Sequence, residues 1–523
     1  MAVGREKSDG RVVVQGRVMA TETADTRGAK AITASKWSSQ LDLFAGTAEN
    51  LKESPAATVE GLPETAQAVE PKSVNLKNND LPPMTMEEVA NEVNLMIAWN
   101  KVASNKGAAG PDRQGIQQVR KHIGFILPAL HRELLQGSYL PGDIRRVWIP
   151  KGNGDFRGLG IPNVVDRIVQ QATHQVLSPH YEREFHNNSH GFRPNRSCHT
   201  AVAQAREYLA QGHEFVVDID LEKFFDTVHH DRLMAKLAEQ ISDKRLLKML
   251  RKMLQARIIL PDGLVTEPTE GTPQGGPLSP LLSNIVLDEL DRELAQRGLP
   301  FVRYADDCNI FVRSERAGKR VMESIATFIE KRLRLKVNKA KSAVAKPETR
   351  HFLGFRLKRN AQSGEVEVLL SARSKSRIDD KIRALTPRNW GSPFGACIHK
   401  VNEYLIGWIG FFRICSAVPE IAQTLKDLDG HIRRRLRAIK LKQWKCKRII
   451  YRQLRTMGVS WQSASKAIYG GNRSIWKMVF TNAVQSAAMP PLWFEEQGLV
   501  SLVSRWPDKS MHALVKSVRR KPK

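Results

Sequence analysis

Phe301-Val302-Arg303-Tyr304-Ala305-Asp306-Asp307-Cys308-Asn309-Ile310-Phe311-Val312 sets two adjacent carboxylates at a tight turn between two apolar runs. Each run reads as a short buried strand, so the stretch predicts a hairpin with Asp306 and Asp307 at its tip. Charge beside buried strands is costly unless a cation compensates, and hard carboxylate oxygens suit Mg²⁺. Asp is also a common turn former, so this stretch alone fits either a solvated turn or a metal-binding pair.

A second acidic cluster bears on that choice. Phe215-Val216-Val217-Asp218-Ile219-Asp220-Leu221 alternates apolar and acidic residues at strand period and runs into Glu222-Lys223-Phe224-Phe225-Asp226. Asp218 and Asp220 share one strand face, with Ile219 on the other. A strand bearing Asp beside a hairpin bearing Asp-Asp is what two-metal nucleotidyl transfer requires: one ion activates a 3′-hydroxyl and the other steadies the leaving group. Between the clusters lies Gly271-Thr272-Pro273-Gln274-Gly275-Gly276-Pro277-Leu278-Ser279-Pro280, before an apolar periodic segment from Leu281 to Leu294. Gly lets backbone approach a ligand closely, and a following helix presents free N–H groups.

In this order, Asp-x-x-x-Phe-Phe, Pro-Gln-Gly and Tyr-Ala-Asp-Asp form a pattern that resembles the reverse-transcriptase signature. The wider chain, roughly Met86 to Trp506, is similar to bacterial group II intron-encoded proteins, which join a reverse transcriptase to an RNA-splicing maturase domain. Ile149-Pro150-Lys151 with Arg157-Gly158-Leu159-Gly160-Ile161-Pro162 and Asp166-Arg167-Ile168-Val169-Gln170 looks like the family's fingers segment. His190-Gly191-Phe192-Arg193-Pro194-Asn195-Arg196-Ser197 is similar to its next block, and Val337-Asn338-Lys339-Ala340-Lys341-Ser342 and Phe352-Leu353-Gly354-Phe355 to its last two palm blocks.

The resemblance implies an α+β right-hand polymerase, with fingers and palm around a small antiparallel sheet, followed by an all-helical thumb. It selects Asp220, five residues before the second aromatic, as metal ligand, with Asp218 a flanking acid and the alternative, and with Asp306 and Asp307 completing the set. Two Mg²⁺ ions are the implied cofactors, with Mn²⁺ as a substitute. Phe225 occupies the position of an aromatic gate against a ribose 2′-hydroxyl. Lys151 and Arg157 would grip the triphosphate, Gln274 joins the nucleotide site, and Lys341 would meet departing pyrophosphate. The implied partners are the intron RNA, an RNA template with DNA primer and dNTPs, and target DNA.

Composition agrees with a polyanionic partner: Lys and Arg total 82 against 54 acids, a formal charge of +28. Such an excess favours nucleic acid through counterion release. No run approaches the ~20 apolar residues of a spanning helix, and no signal-peptide core stands at the start. The expectation is a soluble, cytoplasmic bacterial protein, an organellar home being the alternative. The five cysteines are scattered without Cys-x-x-Cys spacing, which argues against disulfides and structural zinc. Nothing after Cys446 offers the paired cysteines or His-Asn-His chemistry of relatives with a C-terminal endonuclease. The resemblance is therefore to the lineage lacking it, whose primer must come from another nuclease, a replication fork or a pre-existing strand.

The expected organisation is a disordered leader over 1–85, with a short docking helix at Trp37 to Leu51, then an N-terminal extension over 86–130. Fingers and palm follow over 131–360, a thumb or maturase domain over 371–451, and a C-terminal helical region with possible DNA contact over 452–523. Val89, Val93, Met96 and Ile97 predict an amphipathic helix in the extension. In the thumb, helices are expected over Ile378 to Leu385, Ile398 to Ile414 and Ile421 to Lys445, the last broken near Gly430. Ile432, Leu436 and Ile439 form its apolar stripe, while Arg433, Arg434, Arg435, Arg437, Lys440 and Lys442 take the other faces. With Trp444 nearby, these six residues are candidate RNA contacts. Beyond them, Trp461, Trp476, Trp493 and Trp506 suggest a small helical core. The alternatives to an intron enzyme are a retron or diversity-generating polymerase, a binding-only maturase, and an RNA-copying RNA polymerase.

Overall fold

A computed structural model describes residues 81–150, 156–471 and 474–517. The expected leader and its docking helix lie almost wholly outside them, as does Lys151. Among the described residues ten strands form three sheets: β1 (Ile144–Pro150), β2 (Phe156–Ile161), β3 (Phe215–Ile219), β4 (Ile258–Ile259), β5 (Val265–Thr266), β6 (Phe301–Tyr304), β7 (Asp307–Val312), β8 (Ala343–Ala345), β9 (Phe355–Arg359) and β10 (Val366–Leu370). The sheet that matters for chemistry has the order β6-β7-β3-β8, all its pairings antiparallel.

Alternation explains why this sheet sits at the centre. Val217, Ile219, Phe301 and Ile310 feed a core built with the helices from Met86 to Leu333. Val216, Val302 and Phe311 feed a second core shared with the helices from Ala372 onward. β3, β6 and β7 are therefore buried on both faces, which is why the flanks of the Asp-Asp turn read as continuous apolar runs. The fingers sheet, ordered β2-β1-β4-β5, stands apart from it. No helix among the described residues is long and apolar enough to cross a membrane. All five cysteines are free.

Four expectations are corrected. The N-terminal helix is two helices, Met86–Ala90 and Glu92–Ser104, split where the Asn91 side chain accepts the N–H groups of Val93 (2.9 Å) and Asn94 (3.3 Å). That cap resets the helical phase. Leu95, Ala98, Trp99 and Val102 are buried, whereas Val93, Met96 and Ile97 face solvent. The boundary expected near residue 130 falls inside an unbroken helix, Ile116–Gln136.

The third correction concerns Gly430, which does not interrupt Pro419–Gln443. A mid-helix Gly costs about 1 kcal/mol, and the buried Leu425, Leu428, Ile432 and Leu436 around it offset that. The tryptophan-rich tail forms no core of its own: Trp506 and Val479 join the second core, while Trp461 and Leu492 are exposed. Asp429 ties the tail to the long helix by accepting the Ser501 hydroxyl (2.6 Å) and the Leu502 N–H (2.9 Å).

Candidate active site

The β6–β7 hairpin turns through Ala305 and Asp306, with Tyr304 opposite Asp307. Ala305 takes φ +56°, a left-handed conformation that costs a non-Gly residue energy unless its surroundings over-determine it. They do so through Arg303, which is fully buried. Its guanidinium donates to both carboxylate oxygens of Asp291 (2.7 and 2.5 Å), to Asn284 Oδ1 (3.0 Å), to Ser189 Oγ (2.8 Å) and to the Ala305 carbonyl (2.9 Å). Gly191 presses its backbone on the same turn, because a Cβ there would lie 2.3 Å from the Ala305 nitrogen. Asn284 completes the link by donating to the Gly191 carbonyl at 2.9 Å. The acidic tip is thus clamped from behind.

Sequence reasoning missed this clamp. Its signals were an Arg inside an apolar strand and an Asp on the apolar side of the helix Ser279–Gln296. A buried charge of each sign calls for a partner.

Asp220 leaves the end of β3. Its N–H donates to Ser342 Oγ (3.0 Å), and its carbonyl accepts the Asn338 N–H (2.8 Å). The β3–β7 register ends at Ile219 opposite Cys308, one residue short of Asp220 on one strand and of Asp307 on the other. Asp218 is engaged elsewhere: Arg350 donates Nε (2.9 Å) and Nη2 (2.5 Å) to its Oδ2. The two acids of one strand face therefore part company, one bound to arginine and the other open to the cleft.

The carboxylates feel one another. Burial and the Asp220 charge raise Asp306, against its own backbone hydrogen bond and Arg157. Burial, then Asp306, Asp218 and Asp220, push Asp307 up to about 7. Asp307 itself is exposed to solvent at the hairpin tip. As the side chains stand, no three His, Cys, Asp or Glu among the described residues lie close enough to hold a metal ion. The donor set nevertheless fits one: hard carboxylate oxygens whose charges raise one another's proton affinity. Lys341 Nζ sits 4.0 Å from Asp220 Oδ2.

A pH prediction follows. An acid whose folded-state value lies above its unfolded one (about 3.9) stabilises the fold while protonated, and that contribution is lost as pH rises through about 7. In the metal-free protein, the wild-type Tm should fall relative to Asp307→Asn between about pH 4 and pH 7 and change no further above that. Saturating Mg²⁺ should shrink that difference. Thermal scans of both proteins across this range check it.

The remaining nucleotide candidates surround the acids. Arg157, exposed on β2, acts electrostatically on both Asp306 and Asp307. Phe225 is buried, in T-shaped contact with Phe224 at 5.3 Å. The Gln274 carbonyl accepts the Gly160 N–H at 2.6 Å, and a Cβ on Gly275 (φ +124°) would meet the Gly160 oxygen at 2.5 Å. The Pro-Gln-Gly loop thereby docks on β2 through its backbone.

The six basic thumb residues separate. Arg437 is a correction: it is buried, donates to the Met489 carbonyl (3.0 and 2.8 Å) and lies 5.1 Å over Phe494. Burial, with Arg433 and Arg434 nearby, lowers its pKa to about 10. Arg435 likewise spends its guanidinium on Thr386, through Oγ1 (2.5 Å) and the carbonyl (2.6 Å). An apolar stripe wider than Ile432, Leu436 and Ile439 draws these two inward. Arg433 approaches Asp429 at 3.9 Å. Lys440 stands 5.0 Å over Phe394, and Arg434 lies 5.8 Å over Phe480. Arg434 and Lys442 are exposed.

An acid-bearing strand beside an acid-tipped hairpin, a docked Pro-Gln-Gly loop and a basic helical segment behind them define the palm and thumb of a template-directed polymerase. The family described as reverse transcriptase (RNA-dependent DNA polymerase) matches residues 149–357, and the group II intron, maturase-specific domain matches residues 375–458. The chain is 35% identical over 349 residues to Protein YkfC of Escherichia coli (strain K12), covering 58% of this chain and 89% of that protein. It is 36% identical over 205 residues to the group II intron-encoded protein LtrA of Lactococcus lactis subsp. cremoris, covering 39% of this chain and 33% of LtrA. It is 37% identical over 203 residues to the putative COX1/OXI3 intron 2 protein of Saccharomyces cerevisiae, covering 39% of this chain and 24% of that protein. The match thus spans a third or less of these two relatives. The chain belongs to the reverse transcriptases of the group II intron-encoded type, with a polymerase domain followed by a maturase domain.

Proposed function

We propose that this protein copies RNA into DNA at Asp220, Asp306 and Asp307, and separately binds the RNA of its host intron to assist splicing and mobility. What supports the first activity is that Asp220, just past the end of β3, adds to the charge that raises the proton affinity of Asp306 and Asp307 at the hairpin of the neighbouring strand. When bound, two Mg²⁺ ions, or Mn²⁺ in their place, supply Lewis-acid activation of the primer hydroxyl and neutralise charge on the triphosphate. The three carboxylates would hold them.

This chain's own residues do the rest. Lys151 and Arg157 bind triphosphate oxygens from the fingers, a role suited to an ammonium and a guanidinium fork. Phe225 closes the space a ribose 2′-hydroxyl would need, and the Gln274 loop lines the nucleotide beside it. Lys341 stands ready to neutralise or protonate the departing pyrophosphate. Primer extension on an RNA template with Mg²⁺ and labelled dNTPs tests this; absence of incorporation on any template would favour a binding-only maturase.

For the second activity, the side chains that remain outward carry the RNA contact, chiefly Arg434, Lys440 and Lys442, and 452–523 is assigned to target DNA. Arg434→Ala and Lys442→Ala should each weaken intron RNA binding and lower the salt slope by about one. Arg437→Ala should instead destabilise the fold while leaving that slope unchanged. Filter binding across a salt series, with a denaturation curve for each variant, separates the two kinds of residue.

A further inference from the structure

Arg146 lies on β1, yet its guanidinium leaves the fingers sheet. Its Nη2 meets Asp226 Oδ1 at 3.0 Å, with the arginine side chain 13% exposed and the aspartate 45%. The route is prepared at Gly158 on the paired strand β2. A Cβ there would lie 2.4 Å from Arg146 Nε and 2.6 Å from Cζ, so any side chain at this position would push the guanidinium off its present path. On its other side the guanidinium lies 5.3 Å from the Trp148 ring centroid. Glycine inside a strand weakens it, and here the missing side chain gives that weakness a use.

Asp226 directly follows Phe225 in the short helix Phe224–Thr227. From the palm side, the Phe225 carbonyl accepts the Thr272 N–H at 2.6 Å. A Cβ on Gly271 would lie 3.0 Å from both the Phe225 and Asp226 carbonyl oxygens. The aromatic segment is therefore pinned by the Pro-Gln-Gly loop below and by a fingers arginine above.

We propose that the Arg146–Asp226 ion pair sets sugar selectivity by holding the Phe225 backbone where its ring cannot retreat from a ribose 2′-hydroxyl. This rests on the reading of Phe225 as the sugar gate and makes Arg146, Asp226 and Gly158 positioning residues. A steric gate discriminates only as well as it is braced. A shift of the helix by a few tenths of an ångström relieves a clash that costs nothing to a deoxyribose.

The test compares kcat/KM for a dNTP with that for the matching rNTP in primer extension on an RNA template. Arg146→Ala and Asp226→Asn should each reduce the dNTP-over-rNTP ratio about three- to fivefold, the scale of a half-exposed ion pair. The double variant should lose no more than either alone, since the two share one interaction. Gly158→Ala, which leaves both charges in place, should mimic Arg146→Ala, and Arg146→Lys should keep part of the ratio. Phe225→Val should lower the ratio about tenfold or more if the ring is the gate. A Phe225→Val ratio equal to wild type would sink the gate reading and the brace with it. Loss of selectivity in Phe225→Val alone, with dNTP and rNTP rates falling in parallel for Arg146→Ala, Asp226→Asn and Gly158→Ala, would overturn the brace and leave the gate.

Discussion

Asp306→Asn should reduce cDNA synthesis by at least about a thousandfold, a loss of roughly 4 kcal/mol of transition-state stabilisation. The amide keeps the volume and the turn, so the hairpin, clamped by Arg303 and Gly191, should fold as before. It removes the charge, and with it a hard anionic donor for a divalent ion. Intron RNA binding by the same variant should stay within about twofold of wild type, because the exposed Arg434 and Lys442 belong to the thumb helix Pro419–Gln443 and share no partner with Asp306. Single-nucleotide extension and filter binding on one preparation measure both quantities. Equal losses in the two assays would mean that Asp306 serves the fold and not the chemistry.

Arg303→Met should cost about 3–5 kcal/mol of stability, because it strands the buried Asp291 carboxylate without its partner. Methionine fills much of the volume, so cavity formation contributes little by comparison. The double variant Arg303→Met with Asp291→Leu should recover a large part of that stability, since replacing both members of a buried ion pair by apolar residues is often neutral. It should not recover cDNA synthesis. The Ala305 carbonyl and Asn284 would still lack the guanidinium donor that holds the left-handed turn in place. Chemical denaturation of the three variants beside primer extension separates these outcomes. Recovery of both properties would show that the clamp serves stability alone.

The parts of this protein legible from sequence are those where one residue type has one physical use. Asp-Asp between apolar runs forced a hairpin, and alternation in Phe215–Ile219 forced a strand, both as found. The thumb helices appear where their apolar spacing set them, each starting earlier than that spacing alone indicates and two of them ending two residues sooner. What sequence could not reveal is how long side chains choose among partners. Asp218 and Asp220 look equivalent on one strand face; motif spacing favoured Asp220, but the partner that engages Asp218, Arg350, lies 132 residues away in sequence. Arg435 and Arg437 sit in a run of like residues, yet carbonyls of Thr386 and Met489 draw them inward. The phase of Glu92–Ser104 depended on one cap at Asn91, a local hydrogen bond that outweighed the periodicity of Val93, Met96 and Ile97. Gly158 read as a family motif until Arg146 was seen to cross it.

The most direct measurement is calorimetric titration of Mn²⁺ into the protein with a chain-terminated primer, RNA template and incoming dNTP. The wild type and Asp218→Asn should each bind two ions, whereas Asp220→Asn, Asp306→Asn and Asp307→Asn should each lose tight binding. Unaltered Mn²⁺ binding in those three variants, or its loss only in Asp218→Asn, would contradict a shared metal site at Asp220, Asp306 and Asp307.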